Sequence, residues 1–199
     1  MKKKKYLLFF IITFQFIYSV CYAEDFFLSA QQVFKDDKNE VIKANGSVEI
    51  QKGKIRIKSD NLIYNTKINE VKLKGNIQIF SESGDLIFAK EAILNDTLKS
   101  GIIKNLGLLM SDGSRLAASS ANTEESKSKS VYKNIVFTKC LECKKDKEVL
   151  WKLKAKKATH LKKSKIILYE SVFLEVFKIP IIYVPLFYHP DPTVKRKTG

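Results

Sequence analysis

Lys54-Ile55-Arg56-Ile57-Lys58 alternates charged and apolar side chains without a break. Successive side chains of an extended chain point to opposite faces, so this pattern predicts a strand with one wet face and one buried face. The same period returns in Val71-Lys72-Leu73-Lys74, in Ile77-Gln78-Ile79 and in Trp151-Lys152-Leu153-Lys154-Ala155-Lys156. Turn-forming residues separate these segments: Asp36-Asp37-Lys38-Asn39, Asn45-Gly46, Gln51-Lys52-Gly53, Gly75-Asn76, Ser83-Gly84-Asp85 and Asp112-Gly113. No stretch beyond residue 23 shows a helical period. The pattern predicts an all-β protein of antiparallel strands.

Around that core pattern runs an internal repeat. Asn45-Gly46-Ser47-Val48-Glu49-Ile50 returns as Gly75-Asn76-Ile77-Gln78-Ile79, 29 residues on from Gly46 to Gly75. Ser59 to Thr66 is echoed by Lys90 to Thr97, and a further echo begins near Trp151. Each unit holds two or three strands that cannot bury their own apolar face, so units must stack to close a core. The expected product is a β-jellyroll or solenoid-like stack. Ala117 to Ser130 (AASSANTEESKSKS) is polar and almost free of large apolar residues, and reads as a surface loop.

Stacked strands with one apolar face also imply a greasy track along the stack. The inward candidates are Val48, Ile50, Ile55, Ile57, Leu62, Tyr64, Val71, Leu73, Ile77, Ile79, Phe88 and Ile93. They are equally the residues of an ordinary core. A lipid chain gains about 0.8 kcal/mol per methylene taken out of water, on the order of 10 kcal/mol for a dozen, so such a track suits an acyl chain.

The N-terminus points to export. Lys2 to Lys5 form a basic region, Tyr6 to Val20 an apolar one, and Cys21-Tyr22-Ala23 a small-residue cleavage site before Glu24. The apolar run is shorter than the roughly 20 residues that cross a bilayer as a helix. Cleavage after Ala23 removes four lysines and no acid, lowering the net charge from +15 to +11. Only Arg56, Arg115 and Arg196 among the 36 basic residues are arginine, a lysine bias that accompanies abundant Ile and Asn. A basic exported chain favours anionic partners such as phosphorylated glycolipid or a membrane surface, and export argues against nucleic acid.

No catalytic constellation stands out. His160 and His189 lie in no metal or nucleophile motif, and neither a metal nor a cofactor is implied. Cys140 and Cys143 remain after cleavage, and an even pair in an exported chain reads as a disulfide. Such a short loop pins a turn, contributing roughly 2 kcal/mol in the entropy account. Pairing of either cysteine with one outside this chain is the alternative. A redox pair would need a helix N-terminus beside a βαβ unit, and zinc would need two further ligands.

The chain closes on VFKIPIIYVPLFYHPDPTVKRKTG, Val176 to Gly199, which holds all four prolines, Pro180, Pro185, Pro190 and Pro192. Tyr188-His189-Pro190-Asp191-Pro192-Thr193-Val194-Lys195-Arg196-Lys197-Thr198-Gly199, preceded by Ile179 to Pro185, resembles a signature segment of the outer-membrane LPS-assembly protein family, LptD (OstA/Imp), in its α-proteobacterial form. The cysteines after Phe137-Thr138, then Trp151 to Ala155 and Tyr169-Glu170, fit the same version. The repeats from Ala44 to Val48 and from Lys74 to Ile77 are similar to the OstA-like jellyroll shared with the periplasmic LPS-transport proteins A and C. The resemblance spans the mature chain and is most specific over residues 150–199.

The resemblance implies a signal peptide (1–23), a periplasmic OstA-like jellyroll (24–172), and a junction with the first strand or strands of a missing outer-membrane barrel (173–199). It implies lipopolysaccharide (LPS) as cargo, a transport protein A-like jellyroll as donor, and an E-type lipoprotein partner only where a barrel exists. It also implies no enzymatic activity and residence in the periplasm and outer membrane. Pro180, Pro185, Pro190 and Pro192 become gate or junction candidates, since proline cannot donate to a strand ladder. The alternatives are a stand-alone periplasmic LPS bridge resembling transport protein A and, from the residues alone, a structural β-solenoid or a periplasmic CxxC redox protein.

Overall fold

A computed structural model describes residues 26–139, 149–191 and 194. The leader, Cys140, Cys143, Pro192 and the basic residues Lys195 to Lys197 lie outside them. Twelve strands make one antiparallel sheet, and the described residues contain no helix: β1 (Phe26–Ser29), β2 (Gln32–Asp36), β3 (Val41–Lys52), β4 (Ile55–Asn65), β5 (Glu70–Phe80), β6 (Leu86–Asn95), β7 (Gly101–Leu109), β8 (Ser114–Glu124), β9 (Lys129–Lys139), β10 (Trp151–Leu161), β11 (Ile166–Val176) and β12 (Ile179–Pro190). From β3 onward each strand pairs with the next in sequence. β1 and β2 share the outer edge of β3, and β12 forms the opposite edge.

The expected all-β antiparallel fold is therefore present, and the repeat runs on through strands between the first two units and the echo near Trp151. Ser47, Asn76, Asn105 and Asn134 stand 29 residues apart, and each has a positive φ (47°, 39°, 51° and 48°) in the middle of its strand. Ser171 (φ 54°) plays the same part in β11. The pairing skips residues at these points, between Asn45 and Val48 and again between Lys74 and Ile77. The unpaired residues bend the strands; the inward parity switches at the bend in β4, β6 and β7 (Ser59 to Leu62, Ala89 to Ala92, Ile103 to Leu106) and is kept through it in β3 and β5.

Glycine is needed at two of the bends. Gly46 (φ +75) and Gly75 (φ +79) precede Ser47 and Asn76, and a Cβ on Gly75 would stand 2.4 Å from Asp60 Oδ2. That carboxylate accepts a hydrogen bond from Asn76 Nδ2 at 2.9 Å, closing the bend.

The bends fold the whole sheet across its strands. Lys52, at the far end of β3, donates to the backbone carbonyl of Asp96 at 3.0 Å, just past the opposite end of β6. In a flat sheet these ends would be separated by three strand spacings, about 14 Å, and by a strand length of about 35 Å. Two more contacts join opposite strand ends. Phe26 packs on Tyr64 with ring centroids 5.7 Å apart, and Lys99 pairs with Glu82 at 3.2 Å. The product is an open roll whose closing seam is made of side chains, with no strand ladder across it.

Ala117 to Ser130, expected as a loop, instead forms most of β8 and the start of β9. Its alternation is carried by small residues: Ala118, Ala121 and Ser130 are buried and their immediate neighbours are not. The expected domain boundary at 172/173 falls inside β11, so residues 173–190 extend the same sheet.

Candidate functional site

The interior of the roll is the candidate site. Nine of the twelve inward candidates lie there buried: Val48, Ile50, Ile55, Ile57, Leu62, Val71, Leu73, Ile77 and Ile79. Tyr64 is half-buried against them. Phe88 and Ile93 are corrected: they are 45% and 36% exposed. Phe88 stands opposite Gln78 and Ile93 opposite Lys72, both on the wet face, while Ala89, Ala92 and Leu94 of the same strand point inward.

Sequence reading missed most of the interior beyond β6. Val48, Ile77, Leu106 and Ile135 follow the 29-residue period of the bends, and all four are buried. Extending that period past Ile79 would have found Leu106 and Ile135. Ala118, Ala121 and Ala158 give no such signal, since alanine is neutral in an apolar-polar alternation, while Ala155 closes the alternation that begins at Trp151. One cross-strand row shows how they fit. Leu73 faces Ala92, then Ile103, Ala121, Tyr132, Ala158, Tyr169 and Phe187 on successive strands.

The last strands place polar groups inside this apolar space. Tyr169 hydroxyl lies 3.0 Å from His189 Nε2, and the rings stack at 5.4 Å. His160 Nε2 stands 2.5 Å from Asp191 Oδ2, an ion pair when the ring is protonated. Burial holds His160 below its ordinary pKa, with Asp191 and Asp85 opposing and Lys162 adding to the fall. Burial pushes the Tyr132 phenol upward, helped by Asp85 and Asp191. Tyr169 rises for the same reason, with Tyr132 beside it. Asp85 follows the opposite strand end from His160, so its influence is again exerted across the seam.

Three of the proline candidates, Pro180, Pro185 and Pro190, fall in the edge strand, and Pro192 lies outside the described residues. Pro180 sits at the register shift beside Leu174 and Glu175, and Pro185 at the gap in pairing next to the bend at Ser171. Asp191 N donates to Lys165 O at 2.8 Å, so the alternation of an antiparallel ladder turns the backbone of Pro190 to the free edge. β12 is apolar on both faces, with Ile181, Ile182, Tyr183, Leu186, Phe187 and Tyr188 exposed. Glu175, buried between β10 and the end of β11, is held as a carboxylate by Lys154 at 2.6 Å and Lys152 at 3.2 Å. The Lys154 hydrogen bond leads the depression of its pKa. The described residues hold no group of three His, Cys, Asp or Glu side chains fit to bind a metal.

No protein-family profile matches this chain, and no curated protein matches it. Among solved structures it is similar to LptH of Pseudomonas aeruginosa, described as the LptA-homologous periplasmic component of the lipopolysaccharide transport device. The match covers 85% of this chain and 96% of that one, at 9% identity and a TM-score of 0.33. So distant a likeness adds nothing to the strand layout already described.

Proposed function

We propose that the roll carries the acyl chains of an amphipathic glycolipid, lipopolysaccharide, through the periplasm as one segment of a bridge of similar jellyrolls. One observation carries this reading. A single apolar face runs from β3 to β12, enclosed by a seam of side-chain contacts instead of a backbone ladder. Exposed pairs such as Lys99–Glu82 stabilise by about 0–1 kcal/mol each. A dozen methylenes leaving water gain on the order of 10 kcal/mol. An acyl chain that replaces the apolar contacts of the closed roll therefore outweighs the seam.

The bridge reading is preferred to a jellyroll feeding its own barrel, because residues 173–190 continue the sheet as its last strands. That leaves two edges, β1 with β2 and β12, for pairing with a neighbouring roll by strand addition. The jellyroll part of an outer-membrane assembly protein is the second reading. It is favoured by β12, whose prolines and two apolar faces suit a strand leaving the aqueous phase, and by the resemblance of Tyr188 to Gly199. An E-type lipoprotein partner and outer-membrane residence belong only to that second reading.

The test is photo-crosslinking of purified residues 24–199 to LPS. Probes at Ile57 and Leu73 are expected to label, and a probe at the outward Phe88 is not. A folded β spectrum with no labelling at either interior position sinks the proposal. Probes at Val33 and Ile182 then separate the readings: crosslinks between copies or to an A-like jellyroll support a bridge.

A further inference from the structure

We propose a second binding site on the outside of the roll, a cleft for the phosphorylated sugar head of the same lipid. It deepens the carrier reading and rests on it. Two adjoining hollows, of about 520 and 270 Å³, lie along the outward bends of β9 to β12 and share Asn134, Lys156 and Ser171.

The cleft has two chemically distinct ends. At one end Phe173 and Tyr183 face each other across the ladder, ring centroids 4.7 Å apart, and both are largely exposed. At the other end are Lys133 and Lys156, the latter one residue from Lys157, which lies opposite Lys133. Lys154 and Lys157 are neutralised by Glu175 and Glu170, each at 2.6 Å. Lys133 and Lys156 have no carboxylate within ion-pair distance among the described residues, so two uncompensated ammonium groups flank one hollow.

Between the ends the bends present short polar groups. Asn134 and Ser171 both have positive φ, and Asn134 Nδ2 donates to Ser119 Oγ at 3.1 Å, which leaves its carbonyl oxygen open to a ligand. A flat aromatic surface, an amide with a free acceptor, and a pair of unmatched cations fit a sugar ring bearing a phosphate. An acyl chain would have no use for the cations, and a bare anion none for the rings.

The experiment titrates the folded protein with deacylated, phosphorylated LPS, the same sugar after phosphatase treatment, and inorganic phosphate, following backbone amide shifts. The deacylated sugar is expected to shift Asn134, Lys156 and Ser171, to bind at least about tenfold more weakly in Lys133→Gln/Lys156→Gln, and to weaken with added salt. Tyr183→Ala is expected to weaken the sugar without changing inorganic phosphate. Loss of the shifts on dephosphorylation supports the site. Equal affinity in the double variant, equal affinity after phosphatase, or binding of inorganic phosphate as tight as the sugar overturns it. Interior labelling by intact LPS at Leu73, measured in parallel, reports separately on the carrier reading: labelling without head-group binding removes only this inference.

Discussion

The first strands and the last strands share one backbone plan but fill the roll differently. From β3 to β5 most inward pairs are large aliphatic residues, Leu62 opposite Leu73 and Ile57 opposite both Ile50 and Ile79, with Ala44 and Ser59 the small exceptions. From β6 onward every second strand supplies alanine: Ala92, Ala121 and Ala158 alternate with Ile103, Tyr132 and Tyr169 in one row. The last strands also admit polar groups, His160, Asp191 and His189. A row of like-sized aliphatic chains closes by tight packing alone. A row of alternating sizes needs the small positions kept small, and its polar groups need fixed partners.

That contrast gives opposite expectations for mutation in the two regions. Ile57→Ala in the first is expected to cost about 2–5 kcal/mol, since it opens a cavity among fully buried neighbours. The outward Phe88→Ala should stay within about 0.5 kcal/mol. Ala158→Leu in the second is expected to cost about 1–3 kcal/mol by overpacking between Tyr132 and Tyr169. Urea unfolding of the three variants measures all of this. A smaller loss for Ile57→Ala than for Ala158→Leu would break the comparison.

The bends should matter in both regions through backbone conformation. Gly75→Ala puts a Cβ at φ +79 and against the Asp60 carboxylate, and is expected to destabilise by more than about 1 kcal/mol. Asp60→Ala in the same chain removes the collision but leaves the conformational strain, so only part of the loss should return. Full recovery would mean that the bend does not depend on the left-handed conformation.

The smallest effect sharpens the polar end of the comparison. His160 is held below its ordinary value of 6.5, so the folded state favours the neutral ring. The stability tied to that preference is complete above about pH 6.5 and is lost as pH falls through the lower folded value. Unfolding midpoints should therefore drop more between pH 7 and pH 5 in the wild type than in His160→Gln. Parallel pH curves would show that Asp191 offsets the burial.

How much of this could be read in the sequence differs between the same two regions. Ile55, Ile57, Val71, Leu73, Ile77 and Ile79 are β-branched or branched aliphatic residues alternating with lysine, arginine and glutamine, so both the strand and its inward face follow from the pattern. Phe88 and Ile93 misled because apolar size was taken as the mark of the inner face, while the ladder turned Ala89 and Ala92 inward. Ala117 to Ser130 read as a loop for the same reason: its inward residues are alanine and serine, which alternate without contrast in hydropathy. The bends at Asn105 and Asn134 lacked the glycine that marks those at Gly46 and Gly75. The seam was out of reach altogether, since it joins strand ends 44 residues apart, Lys52 and Asp96, through the fold alone.

The central claim is that an apolar interior behind a side-chain seam receives a lipid chain. Its most direct test is LPS photo-crosslinking at Leu73, compared between the wild type and a protein whose seam is locked by cysteines replacing Phe26 and Tyr64. Labelling at Leu73 that falls sharply when the lock is oxidised and returns on reduction is the predicted result. Labelling that is absent throughout, or unchanged by the lock, would contradict it.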